Sequence, residues 1–154
     1  MASSTYIQQI FANDELGGSL GEDSVQDSNR NQVEIFLAGE AISAGAAVSL
    51  DLSQSTNGEK LFVIKEADST DACPIGVAVN AIADGAKGEV VIKGIVEEAL
   101  TKGDVTNIAV GDALSANTAD GKLEKAAAAE LHVAVALEAQ TADGTSRVYV
   151  VKNF

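Results

Sequence analysis

The sequence predicts an all-β protein: a small β-barrel or β-sandwich built from two pseudo-repeated double hairpins, with an extended N-terminal arm. Three observations predict it. Short segments of alternating apolar and polar residues recur along the last two-thirds of the chain. Four Asx-Gly dipeptides, Asn57-Gly58, Asp84-Gly85, Asp120-Gly121 and Asp143-Gly144, punctuate them. The order of segments is also written twice, giving pseudo-repeats at about 42–94 and 108–152. Asx-Gly pairs supply the positive φ angles of tight hairpins, so each pair is expected to reverse the chain between two strands.

Taken in order, QVEIFLA (32–38) opens the β-domain, expected over 32–154. It places Val33, Ile35 and Leu37 on one face and Glu34 and Phe36 on the other, the alternation of a half-buried strand. In the first copy, GAAVSLDL (45–52) pairs with KLFVIKEA (60–67), and IGVAVNAIA (75–83) pairs with EVVIKG (89–94). In the second, GDALSA (111–116) pairs with KLEKA (122–126), and VAVALEAQ (133–140) pairs with RVYVVK (147–152). Ile75, Val77 and Val79 share one face, opposite Gly76 and Ala78. Val133, Val135 and Leu137 likewise oppose Ala134 and Ala136, which makes Ala78 and Ala136 equivalent. Small residues on the second face let another layer approach closely or leave that face lightly covered. Residues 95–100 are expected to continue the preceding strand before a loop at 102–107. The alanine-rich run KAAAAEL (125–131) is too short to hold a helix alone and reads as a loop with at most one helical turn.

Residues 1–31 differ in character. Tyr6, Ile7, Ile10 and Phe11 are the sizeable apolar side chains of the first eleven residues, a stretch compatible with a short helix or an extended arm. Residues 13–31 are polar, acidic and glycine-punctuated, the composition of a linker or of a segment that orders on binding. Fully extended, such an arm reaches roughly 100 Å.

The totals restrict the function. A chain of 154 residues forms one domain most simply. Apolar residues make up 46% of it but aromatic ones only 4%, so the core is chiefly alanine and valine and buries little area per residue. Oligomer contacts are therefore expected to contribute stability. The net charge of −13, from 23 acidic and 10 basic residues without a basic cluster, argues against nucleic acid and anionic membranes as partners. It is compatible with simple solubility or with attraction to a basic protein surface. The single cysteine, Cys73, excludes an internal disulfide. Neither a secretion signal nor a membrane-spanning run is visible, so maturation outside the secretory pathway is expected.

No catalytic set assembles from the candidate residues, and neither a cofactor nor a metal is expected. His132, the one histidine, sits between Leu131 and Val133 at the start of a strand, without an adjacent carboxylate or nucleophile. A hydrolase would require it at the centre of a polar pocket. Cys73 lacks the ligands of a zinc site. Asp112, Asn117, Asp120 and Gly121 faintly resemble a calcium loop, but no glutamate follows at the required spacing, and turn chemistry accounts for Asp120-Gly121. Gly17–Gly21 lacks the flanking strand and lysine of a phosphate loop. The absence of tryptophan disfavours a sugar platform.

The segments AGEAISAGAAVSLD (38–51), PIGVAVNAIADGAKGEVVIKGIVE (74–97), AVGDALSANTADGKL (109–123) and VAVALEAQTADGTSRVYVV (133–151) resemble, in their order and spacing, the phage capsid cement or decoration proteins. Ala134 stands where that family often has glycine, and the arm is longer than in compact members. The resemblance implies a small β-body on the outer surface of an icosahedral head, commonly a trimer. It would bind the major capsid protein and hold neighbouring capsomers together against the pressure of packaged DNA. Within that reading Tyr6, Ile7, Ile10 and Phe11 are the expected capsid anchors. A head-fibre or receptor- or glycan-binding β-module is the alternative.

Overall fold

The computed structural model describes residues 31–68, 73–103, 106–116, 120–127 and 131–151, all within one compact unit, Asn31–Phe154. The strands among them are β1 (Gln32–Ala38), β2 (Ala47–Leu50), β3 (Val63–Glu66), β4 (Pro74–Ala78), β5 (Lys87–Thr101), β6 (Ala113–Ala116), β7 (Leu123–Lys125), β8 (Ala134–Ala136) and β9 (Gly144–Val150). The four expected strand pairs, β2–β3, β4–β5, β6–β7 and β8–β9, are all formed and all antiparallel.

Their neighbours close the sheet. The order β1-β3-β2-β4-β5 returns on itself through the antiparallel β1–β5 pairing, which makes a five-stranded barrel. The remaining strands follow the same scheme, β5-β7-β6-β8-β9, closed by β5–β9. In each circuit one pair is parallel, β1–β3 in the first and β5–β7 in the second. β5, 15 residues long, belongs to both. Its first half pairs with β1 from Lys87 to Lys93, and its second half pairs with β9 from Gly94 onward. At this handover the Asn31 side chain accepts the Ile95 N–H at 2.9 Å.

Two apolar clusters fill the body. One lies inside the barrel and includes Phe36, Ala38, Ile42, Val48, Ile64, Ala78, Ile82, Val90 and Ile92. The other gathers Leu114, Leu123, Val133, Val148 and Val150 of the second circuit with Ala47, Val77 and Val91 from the first. Small residues permit this close approach. The Ala47 N–H donates to the Gly121 carbonyl at 2.7 Å, and the Leu100 N–H donates to Gly45 at 2.8 Å.

The structure decides one point that alternation leaves open and corrects two expectations. First, β1 buries its Phe36 face. Phe36 and Ala38 are buried, while Val33, Ile35 and Leu37 are 45%, 64% and 37% exposed. Register decides this, because Glu34 opposes Val90 and Phe36 opposes Gly88, which puts the even-numbered residues on the side of the barrel interior. Second, Ile75 does not share a face with Val77. A register shift opposite Val48 and Ser49 interrupts the alternation, so Ile75 enters the barrel cluster and Val77 the other.

Third, the Asx-Gly pairs differ among themselves. Gly85 and Gly121 have φ of +71° and +65°. Gly58 is right-handed, at −67°, and precedes a 3-10 turn at Glu59–Leu61. Gly144 is the first residue of β9 and lies outside the positive-φ set. The recurrent reversal is a different motif. Ile42-Ser43-Ala44-Gly45, Ile82-Ala83-Asp84-Gly85 and Ile108-Ala109-Val110-Gly111 each bury the isoleucine and carry a left-handed glycine. Each is closed by an N–H one residue past the glycine: Ala46 to Ser43, Ala86 to Ala83, and Asp112 to Ala109. Ile42 bridges Ile82, and Ile108 bridges Gln140. The repeated isoleucine three residues before glycine was the available sequence signal for these turns.

Candidate interaction surface

The outward face of β1 leaves an apolar strip on the outside of the barrel. Val33, Ile35 and Leu37 point outward at every second position, spanning roughly 14 Å. Ile35 opposes Glu89 of β5, and the N–H of the exposed Val79 donates to the Glu89 carbonyl from the other side. At its far end, the Leu37 N–H donates to the Phe62 carbonyl, and Leu61 and Phe62 are both 62% exposed. Scattered apolar residues on a surface are ordinary, whereas a continuous run of them marks an interaction site.

Where the strip meets the β5 handover, it deepens into a groove of about 400 Å³. Val33, Val79, Val91, Ile95 and Val96 line it together with Asn31, Glu89, Glu97 and Glu98. The Arg147 guanidinium pairs with Glu97. Glu89 and Glu98 form no ion pair among the described residues.

The residues singled out from sequence lie elsewhere. His132 is exposed ahead of β8, and Cys73 is half-buried beside the barrel cluster. Asp112 accepts the Ala109 N–H at 2.8 Å and pairs with Lys125 at 2.9 Å. Asp120 pairs with Lys122 at 3.0 Å. These contacts hold turns in shape. Tyr6, Ile7, Ile10, Phe11 and Asn117 lie outside the described residues.

The perturbed charges support the same structural role. Backbone donation from Ala109, then the Lys125 ammonium, holds the Asp112 carboxyl below the ordinary 3.8. Hydrogen bonding from the Ser53 side chain is the main cause that does the same for Asp51. Lys122, bonded first to Asp143 and then to Asp120, is pushed up to about 12. For the carboxylates, stabilisation is full above the unfolded pKa and is lost as pH falls through the lower folded value. For Lys122 the sign reverses: the contribution is full below 10.5 and is lost as pH rises toward 12. Thermal melts across pH should therefore fall off below about pH 4. The Lys122→Met variant should lose less stability than the wild type between 10.5 and 12. Identical alkaline limbs for the two proteins would remove Lys122 from this account.

Residues 53–152 match the family model described as phage cement protein. The chain belongs to the phage cement protein family. As a phage cement protein it is a structural, non-enzymatic component of the phage head, and His132 needs no catalytic role. The matched span takes in β3 to β9, including the groove residues from Val79 to Glu98. Among solved structures, the cement protein is similar to the head fiber gp8.5 N base of bacteriophage phi29, with a TM-score of 0.54 and 15% identity. That alignment covers 79% of this chain and 94% of the other, a likeness of fold. No curated protein matches the sequence.

Proposed function

We propose that this cement protein binds the outer surface of an icosahedral phage head through the major capsid protein. There it joins neighbouring capsomers against the pressure of packaged DNA. The observation that carries this reading is the family match over the β-body, combined with the outward apolar strip of Val33, Ile35 and Leu37. The protein acts as a homo-oligomer, with a trimer favoured, because an alanine- and valine-rich core leaves stability to be gained between copies. Its N-terminal segment is the tether, with Tyr6, Ile7, Ile10 and Phe11 as anchors on the capsid. Several tethers in one oligomer raise avidity by about 10²–10⁴.

Removing residues 1–30 tests the tether. Asn31 is kept because its side chain holds Ile95. The shortened protein is expected to fold and to melt within about 2 °C of the full chain. On purified heads its occupancy should fall at least about tenfold at equal concentration. Full occupancy by the shortened protein would leave the anchors without a role.

A second reading, the base of a head fibre or a receptor- or glycan-binding module, draws on the likeness to the phi29 head fiber base. A glycan array with the isolated protein separates the two. Selective glycan binding favours the second reading, and silence favours cement.

A further inference from the structure

We propose that the groove between β1 and the β5 handover is a docking site for a partner-protein segment that offers one bulky apolar side chain flanked by lysine or arginine. The setting rests on the capsid-binding reading above, and the chemistry of the contact is the addition. The floor of Val33, Val79, Val91, Ile95 and Val96 calls for an apolar side chain, and about 400 Å³ admits one or two large ones.

The rim sets the flanking charge. Its ionisable residues are Glu89, Glu97 and Glu98, and no lysine or arginine lines the groove. Lys87, opposite Leu37, and Lys93, opposite Gln32, stand at the two ends of the β1–β5 ladder. Arg147 already occupies Glu97. The side chains of Glu89 and Glu98 remain to receive cations from outside, beside an apolar surface where ion pairs are less screened than in open water.

Charge also decides among occupants. A second copy seated on this face would bring two such rims together on chains that each carry −13, and like charges in an interface are repulsive. Nucleic acid is repelled for the same reason. The groove lies over the face of the β1–β5 pair, which is already hydrogen-bonded from Gln32 to Leu37, while β3 takes the other edge of β1 at Leu37 and Ala38. Recognition is therefore by side chains across the face, which makes it specific for residue type.

The test uses the full chain, methyl-labelled, titrated with two synthetic peptides followed by NMR. The peptide Gly-Lys-Phe-Lys-Gly should shift the methyls of Val33, Val79 and Val91 in a salt-dependent manner, and Gly-Glu-Phe-Glu-Gly should leave them in place. The doubly substituted Glu89→Gln, Glu98→Gln protein, altered only at exposed positions, should fold normally. It should bind the cationic peptide about fivefold more weakly. Equal shifts with both peptides, or shifts confined to other residues, would overturn the proposal. So would movement of the same methyls with protein concentration alone, since that would give the face to a second copy. Coating of heads by the double variant is the separate arm. If the cationic peptide binds as expected but the variant coats heads as wild type does, the groove chemistry stands and the capsid is not its partner.

Discussion

Replacing Phe36 by alanine is expected to cost about 3–5 kcal/mol, whereas Ile35→Ala should change stability by less than about 0.5 kcal/mol. Phe36 is 7% exposed and packs inside the barrel with Ile42, Ile64, Ile82 and Ile92. Its truncation leaves a cavity that a closed circuit of hydrogen-bonded strands cannot collapse to fill. Ile35, at 64% exposed, gives up little contact when shortened. Paired thermal melts should show Tm lowered by at least about 8 °C for the first variant and by no more than about 2 °C for the second. The reverse ranking would put the aliphatic face of β1 in the core and remove the outer strip that leads into the groove.

Gly45→Ala should be the second most damaging of these changes, at about 3 kcal/mol, with Gly85→Ala costing about 1 kcal/mol. The two glycines hold equivalent places in their turns, with nearly equal φ of +73° and +71°, so the backbone strain imposed by alanine is the same. Their surroundings differ. A Cβ at Gly45 would lie 2.1 Å from the Glu98 carbonyl oxygen of β5, a backbone atom that cannot swing aside, whereas nothing lies within 4 Å of one at Gly85. The difference between the variants in denaturant midpoint thus isolates the contact from the strain. Equal losses would mean that the turn at Gly45 does not press against β5 as described.

Much of the fold was legible in the residues. Each of the four antiparallel pairs could be read from two alternating segments close in sequence, and the matching of Ala78 with Ala136 follows from equivalent registers, opposite Val90 and Val148. The left-handed turns at Gly85 and Gly121 were visible as Asp-Gly pairs. Those at Gly45 and Gly111 were not, because alanine and valine precede these glycines and only the buried isoleucine three residues earlier identifies them. Asn57-Gly58 misled for the converse reason. A twelve-residue connection, 51–62, has room for a 3-10 turn and does not require a left-handed glycine.

The sequence by itself determined the all-β class, the four local hairpin pairings and the lack of a catalytic constellation, since all of these follow from side-chain type and short-range spacing. Only the tertiary structure decided that β5 is shared by two circuits, that β1–β3 and β5–β7 run parallel, and which face of β1 is covered. In VEIFLA both parities are apolar, so alternation gives the period of the strand without its orientation. Orientation is fixed by Val90 and Gly88, more than fifty residues away, which oppose Glu34 and Phe36 and turn the even-numbered side chains inward. The same pairing leaves Val33, Ile35 and Leu37 outside, where the candidate interaction surface lies.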